Sequence, residues 1–121
     1  MKLKILIIED EKLAQEHLSR LLRNILPDCI ILEKIDSIKK SVEWLQKYEA
    51  DLIFLDIQMP KITGFEMLEL IEEPPHVIFT TAFDEYAMQA FEANAVDYLL
   101  KPFSQQRFDK AISKWMELNK A

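Results

Sequence analysis

The sequence predicts an α/β domain in which a parallel sheet has helices on both faces. Short apolar runs, with the length and Ile/Phe content of buried strands, alternate with segments whose apolar residues recur at helical spacing. Five strands alternating with five helices would be joined by right-handed crossovers. The 121 residues are enough to remove roughly two-thirds of the unfolded surface from water. We therefore predict a single domain, residues 1–121.

The chain can be divided into elements from its apolar patterns, prolines and capping residues. The most polar strand is the second, which we expect near a sheet edge. Ser37, Asp84 and Ser104 are predicted to cap helices. The predicted strands are Leu3–Ile8, Cys29–Ile35, Leu52–Leu55, Val77–Phe79 and Val96–Leu100. The first and third predicted helices are Lys12–Leu26 and Phe65–Ile71. The helix after Ser37 is expected to bury Ile38, Val42 and Leu45, the helix after Asp84 to carry Tyr86, Ala87, Ala90 and Phe91 on its apolar face, and the helix opened by Ser104 to carry Phe108, Ala111, Ile112, Trp115 and Leu118.

Polar and charged residues follow the predicted strands. Glu9 and Asp10 follow the first, Asp56 the third, Thr81 the fourth and Lys101 the fifth. In an open α/β sheet, ligands bind in the crevice at the carboxyl ends of the strands. We therefore expect these side chains to share one site, although each acid taken alone would more often be a solvated loop residue or a helix cap.

The acids of this edge indicate a hard metal ion. Carboxylates gathered at one place repel one another and raise their own pKa values unless a cation lies among them. Oxygen ligands without a histidine or cysteine cluster suit Mg²⁺, and the sequence lacks an EF-hand calcium loop. His17 and His76 lie apart from the acids in the sequence, so we interpret both as structural or surface residues.

A lysine and a hydroxyl beside a magnesium-bound carboxylate describe a phosphoryl site. We predict that Asp56 is the nucleophile that forms an aspartyl phosphate. Lys101 and the metal would neutralise the oxygens of the phosphoryl group, and the Thr81 hydroxyl would donate to one of them. Such chemistry rests mostly on alignment and charge neutralisation, and it needs no dedicated general base.

Composition excludes several other classes. The net charge of −6 and pI near 4.9 argue against a surface that binds nucleic acid or an anionic membrane by itself. Gly64 is the only glycine, so neither a dinucleotide-binding turn nor a P-loop can form. Cys29 has no disulfide partner, which fits a reducing cytoplasm. The apolar run Ile5–Ile8 is too short for a signal peptide, and no longer run would span a membrane.

Four segments in this order and spacing resemble the receiver domain of two-component response regulators. They are IEDE at 8–11, LDIQMP at 55–60, TA at 81–82 and KPF at 101–103. The resemblance covers the whole chain. It implies the flavodoxin-like strand order 2-1-3-4-5. It also implies a phosphoacceptor that takes its phosphoryl group from a sensor histidine kinase. Such a domain is a switch rather than an enzyme, and it catalyses its own phosphoryl transfer and its own slow dephosphorylation.

The resemblance also implies residue roles around the metal. Asp56 is the expected phosphoacceptor, and Glu9 and Asp10 form the acidic pair. Glu9 stands where many relatives carry aspartate, but it still supplies a carboxylate. With Asp56 and the backbone carbonyl of Gln58, this pair would bind Mg²⁺.

Three further roles come from the same resemblance. Thr81 matches the switch hydroxyl, Tyr98 the switch aromatic residue and Lys101 the phosphate-binding lysine. Thr80 precedes the matching position and is interpreted as an ordinary strand residue. The bond between Lys101 and Pro102 is expected to be cis, as in the family.

Two longer segments, FTTAFDEYA at 79–87 and NAVDYLLKPF at 94–103, are similar to receivers of the LytTR type. A DNA-binding output domain follows the receiver in those proteins, so we expect an excised N-terminal part of a longer regulator, with a stand-alone regulator as the alternative. Phosphorylation is expected to promote a homodimer through an apolar patch near Tyr86 or Phe91. Specificity for the kinase is expected on the first helix, around Lys12, Gln15, Glu16 and Ser19.

Two other functions compete with this interpretation. A phosphatase of the haloacid dehalogenase kind also uses an aspartate nucleophile at a strand end, but it needs a second acid where this chain has Gln58, and it carries a cap domain. A pseudo-receiver would keep the site residues without being phosphorylated. For a true receiver we also expect Gln58 and Phe83, each two residues beyond Asp56 and Thr81, to flank the attacking water, with Phe83 slowing hydrolysis.

Overall fold

A computed structural model describes residues 2–118 of the chain. Five parallel strands form one sheet in the order β2-β1-β3-β4-β5, which confirms the predicted α/β class and strand order. The second strand lies at a sheet edge, as its polar sequence predicted. The elements are β1 (Lys4–Ile8), α1 (Lys12–Ile25), β2 (Ile30–Ile35), α2 (Ile38–Lys47), β3 (Leu52–Asp56), α3 (Gly64–Glu69), β4 (His76–Thr81), a 3₁₀ turn (Asp84–Tyr86), α4 (Ala87–Glu92), β5 (Asp97–Leu100) and α5 (Gln105–Leu118).

Alternate residues of the central strands supply two separate cores. Ile5, Phe54 and Ile78 pack with α1 and α5 on one face of the sheet. Leu6 and Leu55 pack with residues of α2, α3 and α4 on the other face. Because successive side chains of a strand point to opposite faces, a strand covered on both faces must be continuously apolar. This explains why β1 and β3 read as unbroken apolar runs.

The predicted helix caps are confirmed at Ser37 and Ser104. The Ser37 Oγ accepts from the Lys40 N–H at 3.2 Å, and the Ser104 Oγ accepts from the Arg107 N–H at 3.1 Å. Each bond satisfies a backbone donor that the first turn of a helix leaves unpaired.

The predicted helix after Asp84 is partly wrong. Asp84–Tyr86 form the 3₁₀ turn, so Asp84 is part of a turn and not a helix cap; α4 is only six residues long, and neither element has a side-chain cap hydrogen bond. Ala90 is buried and Tyr86 half-buried, but Phe91 points outward with 79% of its surface exposed. A helix of six residues has room for only one narrow buried stripe, so Phe91 lies at the surface and not in the core.

Two backbone features place the ends of the strands close together. A Cβ on Gly64 would lie 2.9 Å from the Asp56 carbonyl oxygen, so only glycine lets α3 begin directly against the end of β3. The Lys101 N–H donates to the Thr81 carbonyl oxygen at 2.7 Å, and the peptide bond from Lys101 to Pro102 is cis as predicted. Within residues 2–118, no helix has both the length and the apolar character needed to cross a bilayer.

Candidate functional site

Three acids meet at the carboxyl edge of the sheet. β1 and β3 are paired neighbours, with Ile8 opposite Leu55, so the next residues of the two strands lie side by side. Carboxylate oxygens of Glu9, Asp10 and Asp56 lie within 4.8 Å of one another. The acids predicted from three strand-end positions in the sequence therefore do form one cluster.

Lys101 reaches into this cluster from the end of β5. Its Nζ lies 2.6 Å from Glu9 Oε1 and 3.4 Å from Asp56 Oδ2. Glu9 is completely buried and Asp56 is 4% exposed. A lysine that binds two buried carboxylates compensates part of their desolvation, as buried charges require.

The pKa values show that one lysine does not balance the acids. Burial raises the pKa of Glu9, and its hydrogen bond with Asp56 raises it further, against the opposing effect of Lys101. Burial, together with the hydrogen bond to Glu9, raises the pKa of Asp10. Burial lowers the pKa of Lys101, but the hydrogen bond to Glu9 and the charges of both acids outweigh it, so the net shift is upward. Burial is the main cause of the two raised acid pKa values, and the neighbouring acids add to it, so Lys101 does not fully offset the negative charge.

A divalent cation fits this arrangement. Three carboxylates and one ammonium, when all are ionised, leave a formal charge of −2. The ligand atoms available are oxygens, which are the ligands that Mg²⁺ prefers. The elevated acid pKa values are the expected signature of a site built to hold a positive charge.

Backbone contacts fix the orientation of two of these acids. The Gln58 N–H donates to Asp56 Oδ1 at 3.0 Å, and the Glu11 N–H donates to Glu9 Oε2 at 3.3 Å. The Gln15 side chain donates to the Glu9 carbonyl oxygen at 2.6 Å, a contact that no pattern in the sequence indicated. The carboxylates are thus held in place by the loops that follow their strands.

Thr81 lies next to the strand end that carries Asp56, and it is joined to Tyr98 through one residue, Phe83. Thr81 ends β4, one position beyond Thr80, which pairs with Asp56. The Thr81 Oγ accepts from the Phe83 N–H at 3.2 Å, and the Tyr98 hydroxyl donates to the Phe83 carbonyl oxygen. Thr80 is a buried strand residue, as predicted. The two predicted switch residues therefore share the loop after β4.

Other sequence interpretations have mixed outcomes. His17 packs its ring 5.6 Å from that of Phe103, and His76 Nδ1 accepts from the indole of Trp115 at 3.0 Å, so both histidines have structural roles as predicted. Ser19, which we expected on the kinase-facing surface of α1, is buried and donates to the Gln15 carbonyl oxygen at 2.9 Å. Ser19 lies on the inner side of α1 beside Leu18, so the expectation was wrong for this residue.

Sequence reasoning missed two pairs outside the acid cluster. The Gln58 side chain donates to the Tyr86 hydroxyl at 2.6 Å, across 28 residues of sequence. The two terminal nitrogens of Arg107 bind the two Asp97 oxygens at 2.9 and 2.8 Å. Polar partners distant in sequence leave no periodic signal, so only the fold reveals them.

The profile of the response regulator receiver domain matches residues 5–113. The sensory transduction protein LytT of Bacillus anthracis is 39% identical over 116 residues, covering 93% of this chain and 47% of that protein. The transcriptional regulatory protein BtsR of Salmonella typhimurium is 42% identical over 114 residues, covering 93% and 47%. The chain thus spans about half the length of these curated relatives.

Solved structures give the same result. The response regulatory domain of protein mrkE from Klebsiella pneumoniae superposes with a TM-score of 0.86 at 34% identity, covering 96% of this chain and 97% of that one. The BeF₃-activated DrrB receiver domain, at 24% identity and a TM-score of 0.79, shares the fold and covers 97% of this chain and 99% of that one. The match over most of the sequence, the strand order and the acidic edge agree: this chain belongs to the receiver domains of two-component response regulators.

Proposed function

We propose that Asp56 is the residue of this receiver that accepts the phosphoryl group. The observation that carries the proposal is the position of Lys101, whose ammonium group lies between the buried carboxylates of Glu9 and Asp56. Asp56 stands at the tip of a rigid, fully buried strand, and the Gln58 N–H holds one of its oxygens. Its other oxygen faces Lys101, the group that would also bind the oxygens of an incoming phosphoryl group.

We further propose that Mg²⁺ binds to Glu9, Asp10, Asp56 and the backbone carbonyl of Gln58. The three carboxylates supply oxygen ligands within one small volume. When bound, the ion would offset the negative charge of the acids and of the phosphoryl oxygens.

Phosphoryl transfer at this site needs only alignment and charge neutralisation. An Asp56 oxygen forms a bond to phosphorus while the bond from phosphorus to the donor's histidine nitrogen breaks, and the donor keeps that electron pair. Lys101 stabilises the phosphoryl oxygens. The Thr81 hydroxyl already accepts a hydrogen bond from the Phe83 N–H, which leaves its proton free to be donated to a phosphoryl oxygen. The reaction is therefore self-catalysed by the receiver, and slow hydrolysis returns Asp56 to its free state.

The signal would leave the site through Thr81 and Tyr98. Movement of Thr81 toward the phosphoryl oxygens would change its bond to the Phe83 N–H. The Phe83 carbonyl oxygen in turn accepts a hydrogen bond from the Tyr98 hydroxyl. The phosphoryl group would thereby bias the position of the Tyr98 ring and of the short α4 segment. Only a few residues need to move because α4 is six residues long and buries only Ala90.

We propose three kinds of partner. A sensor histidine kinase would supply the phosphoryl group and contact α1 around Lys12 and Glu16. The exposed apolar side chains near Tyr98, namely Met88, Phe91 and Leu100, would pair with a second copy after phosphorylation. DNA would be contacted only through an output domain outside this chain, since the LytT and BtsR relatives are about twice as long.

Incubation with acetyl phosphate and Mg²⁺, followed by intact-mass analysis, tests the proposal. A receiver gains one phosphoryl group, and Asp56→Asn gains none. Turnover of many equivalents would indicate a phosphatase, and no gain in the wild type would indicate a pseudo-receiver. Asp97→Asn is the matched control, since it removes a carboxylate at a different strand and should leave the gain unchanged.

The lifetime of the phosphoryl group is proposed to depend on Phe83. Its side chain is 49% exposed and follows Thr81 by two residues, so it can cover the side from which water attacks. Phe83→Ala keeps the backbone bonds to Thr81 and Tyr98 and removes only the ring. We expect a shorter half-life of the phosphorylated form by intact-mass analysis, and an unchanged decay rate would contradict this role.

A further inference from the structure

Gln58 makes two hydrogen bonds, one through its backbone and one through its side chain. Its backbone N–H donates to Asp56 Oδ1 at 3.0 Å, and its side-chain amide donates to the Tyr86 hydroxyl at 2.6 Å. Asp56 belongs to β3, whereas Tyr86 belongs to the 3₁₀ turn that leads into α4. One residue therefore connects the proposed phosphoacceptor with the segment after β4, through bonds that do not involve Thr81.

Tyr86 is a rigid partner for this bond. Its ring is half-buried and lies 6.0 Å from the ring of Phe65, which in turn lies 4.6 Å from Phe79 in the core of the sheet. The Tyr86 hydroxyl is held in place by its packed ring. The Gln58 side chain itself is exposed and long, so without this bond it would sample several rotamers.

We propose that Tyr86 is a positioning residue that holds the Gln58 carboxamide away from the phosphoryl group and so lengthens the life of the phosphorylated state. The inference rests on the proposed function of Asp56. In hydrolysis a water oxygen bonds to phosphorus while the bond from phosphorus to the Asp56 oxygen breaks, which returns the carboxylate and inorganic phosphate. A carboxamide two residues beyond the phosphoacceptor can bind and orient that water once it is released from Tyr86.

The size of the effect follows from the strength of one hydrogen bond. A neutral hydrogen bond biases a side chain between two positions by roughly two- to tenfold. Removing the Tyr86 hydroxyl should raise the population of the released Gln58 side chain by that factor. Hydrolysis that uses the released side chain should accelerate by about the same factor.

The experiment follows the decay of the phosphorylated chain by intact mass, after acetyl phosphate has been removed and with Mg²⁺ still present. Tyr86→Phe removes only the hydroxyl, keeps the ring against Phe65, and should decay about two- to tenfold faster than the wild type. Gln58→Ala removes the group that Tyr86 restrains. In a Gln58→Ala background, Tyr86→Phe should therefore have no effect. Tyr48→Phe removes a hydroxyl from an exposed tyrosine at the end of α2 and should decay like the wild type.

Each outcome decides the matter. Equal decay of Tyr86→Phe and the wild type, slower decay, or an equal effect with and without Gln58 would overturn the inference, because a merely structural role of Tyr86 would not depend on Gln58. If the wild type takes up no phosphoryl group, the proposed function fails and this inference fails with it. If the wild type takes up a phosphoryl group but Tyr86→Phe decays at the same rate, the role of Tyr86 is refuted and the proposed function of Asp56 stands.

Discussion

Two ion-pair sites at the ends of β5 both join a basic side chain to carboxylates, but the pKa values of their acids shift in opposite directions. At one, Arg107 binds both oxygens of Asp97, and one cation meets one acid. At the other, Lys101 alone faces Glu9 and Asp56, with Asp10 close by. Balanced charge is typical of a structural ion pair, whereas surplus negative charge is typical of a site that can bind a cation.

The pKa directions express this difference. Burial raises the pKa of Asp97, but the hydrogen bonds from Arg107 and from the Tyr98 N–H outweigh it, so the net shift is downward. Burial and the neighbouring acid raise the pKa of Glu9 despite Lys101. Ionisation of Asp97 therefore stabilises the fold, whereas ionisation of Glu9 opposes it.

The largest expected effect separating the two sites is stabilisation by Mg²⁺. A ligand that binds only the folded state at a hundredfold excess over its Kd stabilises it by about 2.7 kcal/mol. We expect Mg²⁺ to raise the Tm of the wild type and of Asp97→Asn alike, and to raise that of Asp10→Asn much less. Thermal unfolding followed by circular dichroism, with Mg²⁺ or with EDTA, measures this. An equal response of Asp10→Asn and the wild type would contradict the metal assignment.

The same substitution should have opposite effects at the two sites in EDTA. Asp56→Asn removes a charge that raises the pKa of Glu9, so we expect the free energy of unfolding to rise by about 1 kcal/mol. Asp97→Asn leaves Arg107 without its carboxylate, and we expect a loss of about 1 kcal/mol, since the exposed side of this pair is screened by water. Urea denaturation of both variants gives the two values. If both substitutions changed the free energy of unfolding in the same direction, the proposed difference between the two sites would be refuted.

The pH dependence in EDTA follows from the same shifts. The folded pKa of Glu9 is above its ordinary value of 4.5, so the folded state binds the proton more tightly and stability falls as pH rises from 4.5 through the folded pKa. The folded pKa of Asp97 is below 3.8, so its contribution is present above 3.8 and is lost as pH falls through the folded value. We expect a maximum of Tm on the acid side of neutrality.

Two variants check this profile. In Glu9→Gln the fall in Tm toward neutral pH should become shallower, because the titrating group is gone. In Asp97→Asn the loss at the acid end should become shallower instead. A wild-type Tm that does not fall as the pH rises above 4.5 in EDTA would contradict the raised pKa of Glu9.

The smallest expected effect concerns geometry at the balanced site. Arg107 also donates to the Tyr98 carbonyl oxygen at 3.0 Å, so its planar group makes three bonds. Arg107→Lys keeps the positive charge but removes the planar guanidinium that binds both carboxylate oxygens. We expect a loss of about 0.5 kcal/mol in the free energy of unfolding. Arg20→Lys, an exposed arginine on α1, serves as the control and should change stability less.

How far the sequence predicts this molecule depends on the kind of signal. The strands and the meeting of Glu9, Asp10, Asp56 and Lys101 were predictable from the residues, because strand ends of a parallel sheet share one edge. The strand order and the cis bond before Pro102 were predicted only through the resemblance of the motifs to receiver domains.

Other features were outside the reach of the sequence. The short α4 and the outward Phe91 were missed because helical spacing over one or two turns does not tell a buried stripe from an exposed one. The bonds from Gln58 to Tyr86 and from Arg107 to Asp97 join exposed or half-buried polar groups, whose partners depend on how separate elements meet in the fold rather than on periodicity.

The most direct test of the account locates the phosphoryl group. The chain is treated with acetyl phosphate in Mg²⁺ or in EDTA and reduced with borohydride, which converts an acyl phosphate to an alcohol, and its peptides are then mapped by mass spectrometry. We predict a reduced residue at Asp56, formed with Mg²⁺ and nearly absent in EDTA, with Asp97 unmodified. Modification at Asp97 or Asp10 instead, or equal modification of Asp56 with and without Mg²⁺, would contradict the claim that a cation completes this acidic edge.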